Sequence, residues 1–283
     1  MADRIELTDA ELHRRPLPDH HGDTDKHDRG TVLVVGGSRE TPGAVLLAGL
    51  AALRAGAGRV QIATTAGSIA ALGVAIPEAR VIALPETTAG AIDPGAASEL
   101  VQDLERADAV LLGPGTLDRP ATEALVVQLL SAIGPGVIVL DANALAVPGK
   151  DPAALAFAAE RCVLMPNPDE ARLLPGDDAL SIAEATGTTV AVRGSVTEIA
   201  VPGGPVYIDR SGDVGLGMSG SGDVFAGVLA GLCARGADPL TASLWATAAH
   251  GRAGERCAER IGHLGYLARE LLDELPALLN CGS

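Results

Sequence analysis

Residues 215–223, Gly-Leu-Gly-Met-Ser-Gly-Ser-Gly-Asp, set one carboxylate at the end of a glycine-rich loop, directly before the apolar run Val-Phe-Ala-Gly-Val-Leu-Ala-Gly. Glycine adopts backbone angles closed to other residues, so Gly217, Gly220 and Gly222 allow successive N–H groups to converge on one point. A helix starting there adds unpaired N–H groups and the positive end of its dipole. Such a loop can hold a phosphate or an oxyanion, with Asp223 beside that charge as candidate general base. The plainer reading is a tight turn before a buried helix, with Asp223 as its N-cap.

Other chemistry-bearing residues follow short apolar runs. Gly36-Gly37-Ser38 and Pro42-Gly43-Ala44 come after the first run, Gly113-Pro114-Gly115 after Leu112, and Asp141-Ala142-Asn143 after Leu140. Pro166-Asn167-Pro168-Asp169-Glu170 follows Met165, and Arg193-Gly194 follows Val192. Any one of these is an ordinary turn composition. Together they mark one edge of a sheet, and in open α/β sheets ligands bind at the carboxyl ends of the strands. Asn143 and Asn167 can donate and accept hydrogen bonds, Glu170 can hold a metal through water, and Arg193 is a natural cation for a phosphate. No Gly-Lys-Ser or Gly-Lys-Thr P-loop occurs, and Gly36-Gly37-Ser38 lacks the dinucleotide spacing. A Ser-His-Asp triad has little support, since no nucleophile elbow is present and His250 and His263 fall in late helical segments.

The elements that must position these residues alternate. Strand-like runs at 32–35, 60–63, 79–84, 109–112, 137–140 and 162–165 are separated by helical stretches at 43–55, 68–74, 96–106, 120–133, 152–160, 169–174 and 179–186. That rhythm predicts a three-layer α/β/α fold, a mostly parallel sheet with helices on both faces. At 189–209 it changes to a small antiparallel hairpin region, with runs at 189–192, 198–201 and 206–208. Helices follow at 223–235, 239–260 and 264–279. No linker or internal repeat divides the chain, so residues 30–283 read as one domain. Residues 1–29 read as a polar arm holding His13, His20, His21 and His27, a solvated segment rather than a metal site.

Composition narrows the partners. Of 283 residues 47% are hydrophobic but only 2% aromatic, so the core must be close-packed Ala, Val, Leu and Ile. A formal charge of −15 argues against nucleic acid or an anionic membrane. A phosphate ligand must therefore be held by local N–H groups, a few cations or a metal. Cys162, Cys233, Cys257 and Cys281 form no CxxC pair, which fits thiols in a reducing compartment. The opening Met-Ala-Asp-Arg-Ile-Glu is no secretory signal and no run is long enough to span a membrane, so a cytoplasmic protein is expected.

Taken together, these residues resemble the ribokinase-like superfamily, whose Gly-x-Gly-Asp loop carries the catalytic aspartate. Within it the chain is similar to the ADP- or ATP-dependent NAD(P)HX dehydratases, through 30–38 (Gly-Thr-Val-Leu-Val-Val-Gly-Gly-Ser), Pro-Gly-Ala at 42–44, Ala-Leu-Arg-Ala-Gly-Ala-Gly at 52–58, Gly-Pro-Gly at 113–115 and Gly-Ser-Gly-Asp at 220–223. The resemblance implies a coenzyme-repair reaction that uses ADP or ATP with Mg²⁺ to dehydrate NAD(P)HX. It implies Asp223 as catalytic base and substrate contact. It implies Ala44, Gly115, Asn143 and Asn167 around the substrate, and Arg193, Gly194, Ser195, Val196, Thr197, Gly220, Ser221 and Gly222 around the nucleotide. A homo-oligomer, often a tetramer in the family, and a functional partnership with an NAD(P)HX epimerase are also implied. The family pattern has His-Pro-Gly-Glu where this chain has Asn167-Pro168-Asp169-Glu170, Asp at Asn143, Lys-Gly at Arg193-Gly194 and Lys-Gly at Lys26-His27. An Asn-x-x-Glu spacing is also what small-molecule kinases of the superfamily place near their metal. The alternative is therefore a kinase acting on a sugar or vitamin-precursor alcohol. A nucleotide-binding protein without turnover is a third reading, opposed by the intact Asp223 loop.

Overall fold

A computed structural model describes residues 3–19 and 25–279. Its ten strands are β1 (Arg4–Glu6), β2 (Thr31–Val35), β3 (Arg59–Thr65), β4 (Ala79–Leu84), β5 (Ala109–Leu112), β6 (Val137–Leu140), β7 (Cys162–Leu164), β8 (Thr189–Val192), β9 (Thr197–Ala200) and β10 (Val206–Asp209). The helices are α1 (Asp9–Arg14), α2 (Pro42–Arg54), α3 (Ile69–Ala75), α4 (Val101–Arg106), α5 (Arg119–Leu130), α6 (Ala146–Lys150), α7 (Pro168–Ala171), α8 (Ala179–Thr186), α9 (Ser221–Ala234), α10 (Pro239–Ile261) and α11 (Ala268–Leu279). All strands join one sheet in the order β1-β10-β9-β8-β7-β6-β5-β2-β3-β4. From β8 across to β4 the pairing is parallel, and β8-β9-β10 is antiparallel, as the change of rhythm at 189–209 predicts.

Alternation along the central strands feeds two cores. Val32, Val34, Leu111, Val139 and Val163 point to one face, under α2, α9, α10 and α11. Leu33, Val35, Leu112, Leu140 and Leu164 point to the other, under α5 and α8. Both faces are covered, which is why these strands read as unbroken apolar runs. With few aromatics available, α2 and α9 pack through small residues: a Cβ built on Gly227 would lie 2.1 Å from the Ala48 carbonyl oxygen, and one on Gly231 would lie 2.9 Å from Ala55 Cβ. Contacts advance together along both helices, so α2 and α9 run parallel and their N-termini face the same sheet edge.

Residues 4–15 differ from the expected solvated arm. Strand β1 pairs parallel with β10, Ile5 opposite Tyr207, and Leu12 is buried. The Trp245 indole donates to the Arg15 carbonyl at 2.7 Å. An edge strand needs only one paired side and here buries few side chains, so its sequence looks polar. His20, His21 and Cys281 lie outside the described residues. Among the described residues no group of three His, Cys, Asp or Glu is placed to hold a metal, Cys162, Cys233 and Cys257 are buried free thiols, and no helix is long and apolar enough to cross a membrane. The helical turns at Ala142–Leu145 and α6 were also not foreseen, while the helix expected over 169–174 shrinks to the single turn α7.

Strand β5 pairs with β2, whose other neighbour β3 follows it in sequence, so the chain reverses its direction of growth between β2 and β5. The connections leaving β2 and β5 diverge there and open a crevice at the carboxyl edge.

Candidate active site

Helix α9 starts at the glycine loop. Gly220 is its N-cap at φ 89°, a left-handed conformation that favours glycine, so Asp223 lies in the first helical turn and is not the cap. The three loop glycines serve different ends. Gly217 has φ −72° and needs no special freedom. Gly222 is required for space: a Cβ there would lie 2.4 Å from Arg193 Nη1. The free N–H groups of this first turn face the crevice edge, where the helix dipole favours negative charge. Asp223 is largely desolvated, and burial, reinforced by the negative charge of Asp141, pushes its carboxyl up to about 7 against the pull of Arg193.

Arg193 leaves the end of β8 and turns inward. Its Nε donates to the Met165 carbonyl at 3.0 Å and its Nη2 to Asp141 Oδ1 at 2.9 Å, while Glu170 Oε2 stands 3.8 Å from Nη2. The guanidinium carbon lies 5.8 Å from the centre of the Phe225 ring, below it on α9. Asp141 is 4% exposed and carries no capping hydrogen bond, so this ion pair is its main compensation for burial. Burial raises both Asp141 and Glu170 above the usual carboxylate range.

Asn167 and Glu170 turn toward each other. The Asn167 side-chain oxygen accepts from the Asp169 and Glu170 N–H groups, both at 2.9 Å, and Glu170 Oε2 accepts from the Asn167 N–H at 2.8 Å. This is a capping box at the start of α7. It accounts for the Asn-x-x-Glu spacing without a metal. Asn167→Ala is expected to cost about 1 kcal/mol of stability, read as a lower melting temperature.

Across the crevice, the β2 and β5 connections interlock. Gly37 donates its N–H to the Pro114 carbonyl at 2.6 Å, and Thr41 Oγ1 donates to the Gly115 carbonyl at 2.5 Å. Gly115, at φ 68°, approaches α2 so closely that a Cβ would lie 2.6 Å from Ala44 Cβ. Asn143 Nδ2 donates to the Thr116 carbonyl at 2.7 Å, tying the β6 connection to the same wall. The structure thus brings Ala44, Gly115 and Asn143 together. Gly220 joins this wall to the α9 loop, since a Cβ there would meet Leu47 Cδ1 of α2 at 2.6 Å.

On the other side of Arg193 lies a cleft of about 790 Å³. Arg193, Gly194, Ser195, Thr197, Ser221 and Gly222 line it together. Val196 instead packs against the core face under α8, and Asn167 lines this cleft rather than the Ala44–Gly115 wall. Two further residues escaped sequence reasoning. Asp141 stands in a turn motif that by itself assigns it no task, and a lone His250 in a helical segment points to none either. His250 comes from mid-α10, and its Nε2 lies 3.0 Å from Ser221 Oγ and 3.1 Å from the Ser221 carbonyl. Burial and the Arg193 charge push it down to about 4, so the ring is neutral at physiological pH. A neutral ring that donates from Nε2 to the carbonyl pins the first residue of α9. His250→Phe keeps the ring and loses that bond, and is expected to raise the nucleotide KM about tenfold with kcat changed less.

Two groups of residues thus stand on this sheet edge, the Ala44–Gly115–Asn143 wall and the cleft beside Arg193, and the sequence that frames them matches a known family. Residues 32–277 match the family model described as NAD(P)H-hydrate dehydratase. The chain belongs to the NAD(P)H-hydrate dehydratase family. It is 42% identical to the ADP-dependent (S)-NAD(P)H-hydrate dehydratase of Xanthomonas campestris pv. campestris, over 97% of this chain and 96% of that protein. Among solved structures it superimposes on the Bacillus subtilis ADP/ATP-dependent NAD(P)H-hydrate dehydratase co-crystallised with ATP and Mg²⁺ at a TM-score of 0.79, with 26% identity over 97% of each chain. A ribokinase-like superfamily protein of Enterococcus faecalis, 20% identical over 98% of this chain and 96% of that one, gives a TM-score of 0.81 and shows the same fold. The dehydratase family and the ribokinase-like fold expected from the sequence are therefore both found.

Proposed function

We propose that this protein is a nucleotide-dependent NAD(P)H-hydrate dehydratase, using ADP or ATP to return NAD(P)HX to NAD(P)H. The observation that carries the reading is Asp223, desolvated in the first turn of α9 directly after Ser221 and Gly222, which line the cleft beside Arg193. The hydrate lies against the Ala44–Gly115–Asn143 wall and the nucleotide in that cleft. Asp223 removes the proton of the hydrate's hydroxyl as that oxygen attacks the terminal phosphorus of the nucleotide, and the bridging P–O bond breaks to release the nucleotide one phosphate shorter. The N–H groups of Gly222 and Asp223, at the positive end of the α9 dipole, stabilise charge on the transferring group, and Arg193 supports them through Nη1 beside Gly222. The phosphorylated carbon then loses orthophosphate, pushed by the ring-nitrogen lone pair, and loss of a proton from the adjacent carbon restores the ring double bond.

Mg²⁺, when bound, shields charge on the nucleotide phosphates. The Arg193 guanidinium stands between Asp141 and Glu170, 2.9 and 3.8 Å from them, so these carboxylates already share a cation and do not fit a second, protein-held one. The kinase alternative rested on Asn167 and Glu170, and their capping box removes that support. The family's named reaction acts on one epimer of the hydrate, which supports partnership with an epimerase for the other. The free thiols at Cys162, Cys233 and Cys257 support a cytoplasmic location. A homo-oligomer completes the proposal. Mixing the protein with NADHX, Mg²⁺ and ADP or ATP tests it: reduced-nicotinamide absorbance is expected to rise only with nucleotide. A stable phosphorylated hydrate or alcohol without restored coenzyme would replace the reading with a kinase.

A further inference from the structure

The Arg193 guanidinium is surrounded by oxygen. The Met165 carbonyl ends the β7 connection, Asp141 follows β6 and Glu170 stands in α7. Two connections, those after β6 and after β7, bring three acceptors to one cation, at 3.0, 2.9 and 3.8 Å respectively. Two carboxylates and a carbonyl form the all-oxygen donor set that a hard divalent ion takes. Asp223 lies within electrostatic reach of both Asp141 and Arg193 but is not placed with Asp141 and Glu170 as a third ligand. The arginine is fixed as firmly as a ligand would be. Its own N–H donates to the Pro166 carbonyl at 2.9 Å, its face lies over Phe225, and Gly222 is bare of a side chain where Nη1 comes closest.

We propose that Arg193 is the resident cation of this site, filling with a side chain the position between Asp141 and Glu170 that would otherwise hold a divalent ion. The ion used in turnover then arrives with the nucleotide and is held by its phosphates. This rests on reading the cleft beside Arg193 as the nucleotide subsite. The planar fork suits the task, because it satisfies a carbonyl and a carboxylate in fixed directions with a single charge. Removing it leaves buried Asp141 uncompensated beside Glu170 and Asp223, a strongly cation-attracting cavity.

The test is a Mn²⁺ titration of the nucleotide-free protein, followed by the loss of the free-ion electron paramagnetic resonance signal. Wild type is expected to show no stoichiometric site, and Arg193→Lys, which keeps a cation in place, to behave the same. Arg193→Met is expected to gain one Mn²⁺ per chain at least about tenfold tighter than wild type. The added change Asp141→Asn should abolish that site. One Mn²⁺ bound by nucleotide-free wild type and lost in Glu170→Gln overturns the proposal, as does a well-folded Arg193→Met that gains nothing. Should Arg193→Met fail to fold, the wild-type and Glu170→Gln titrations decide alone. No hydrate and no turnover enter these readouts, so absence of dehydratase activity and failure of this proposal are separately visible.

Discussion

Asp223→Asn is expected to abolish turnover while making the protein more stable. A positioned general base contributes about 10²–10⁴-fold to rate, and here the same group also receives the proton, so kcat should fall by at least about 10³-fold with nucleotide binding retained. The stability gain follows from the elevated carboxyl. Its folded value of about 7 lies above the ordinary 3.8, so the folded state holds the proton more tightly than the unfolded chain does. Between those two values rising pH therefore lowers stability, and above about 7 the whole cost is present. Asparagine carries no charge to desolvate, so the variant should gain on the order of 2 kcal/mol at neutral pH and lose the wild-type fall in melting temperature across that window. The same group sets the pH–rate profile: kcat/KM should drop about tenfold per unit below an acid limb near the Asp223 value. A limb that survives in Asp223→Asn would assign the base elsewhere.

Gly227→Ala should be among the most destabilising single-methyl changes available to this fold. The added Cβ would lie 2.1 Å from the Ala48 carbonyl oxygen and 2.7 Å from Ala51 Cβ, and the first of these is backbone that cannot rotate away. Overpacking of this kind costs about 3 kcal/mol, read as a lower urea midpoint with an unchanged m-value. Activity should fall beyond the loss of folded protein, because α9 carries Asp223 and α2 carries Ala44. Gly43→Ala is the matched control. It lies in the first turn of α2 with nothing within 4 Å of its missing Cβ, so neither stability nor rate should suffer. Alanine is the better helix former, so equal losses in the two variants would mean that the α2–α9 contact does not set the cost.

Much of the architecture was legible because the strands obey their period. The bounds of β4, β5, β6 and β8 match the apolar runs residue for residue, and α8 matches its helical stretch. Failures came where a residue's role depends on what arrives from elsewhere. Nothing local says that Arg4–Glu6 will find β10, or that Arg15 will receive the Trp245 indole. Asn167 and Glu170 looked like ligands because residue types that cap helices also hold metals, and only their mutual hydrogen bonds separate the two. Arg193 was legible as a cation at the site, but its burial between Asp141 and Met165 was not, since 52 and 28 residues separate the partners. His250 gave no signal at all. A lone histidine inside a long helix acquires meaning only when Ser221 is placed against it.

The seam between α2 and α9 also bears on how this active site can be altered. The two helices start side by side at the crevice, one from the wall that carries Ala44 and the other from the Gly220 loop. The spacing of the wall from the loop is therefore gauged about one helical turn deeper, by the missing side chain at Gly227 against the Ala48 carbonyl and the Ala51 methyl. Pocket residues decide which molecules enter, whereas the seam decides how far apart they stand once inside. An engineer wishing to admit a bulkier acceptor would do better to loosen this gauge than to carve the walls. A lineage that drifts in substrate should carry its mark there, in residues that touch neither ligand.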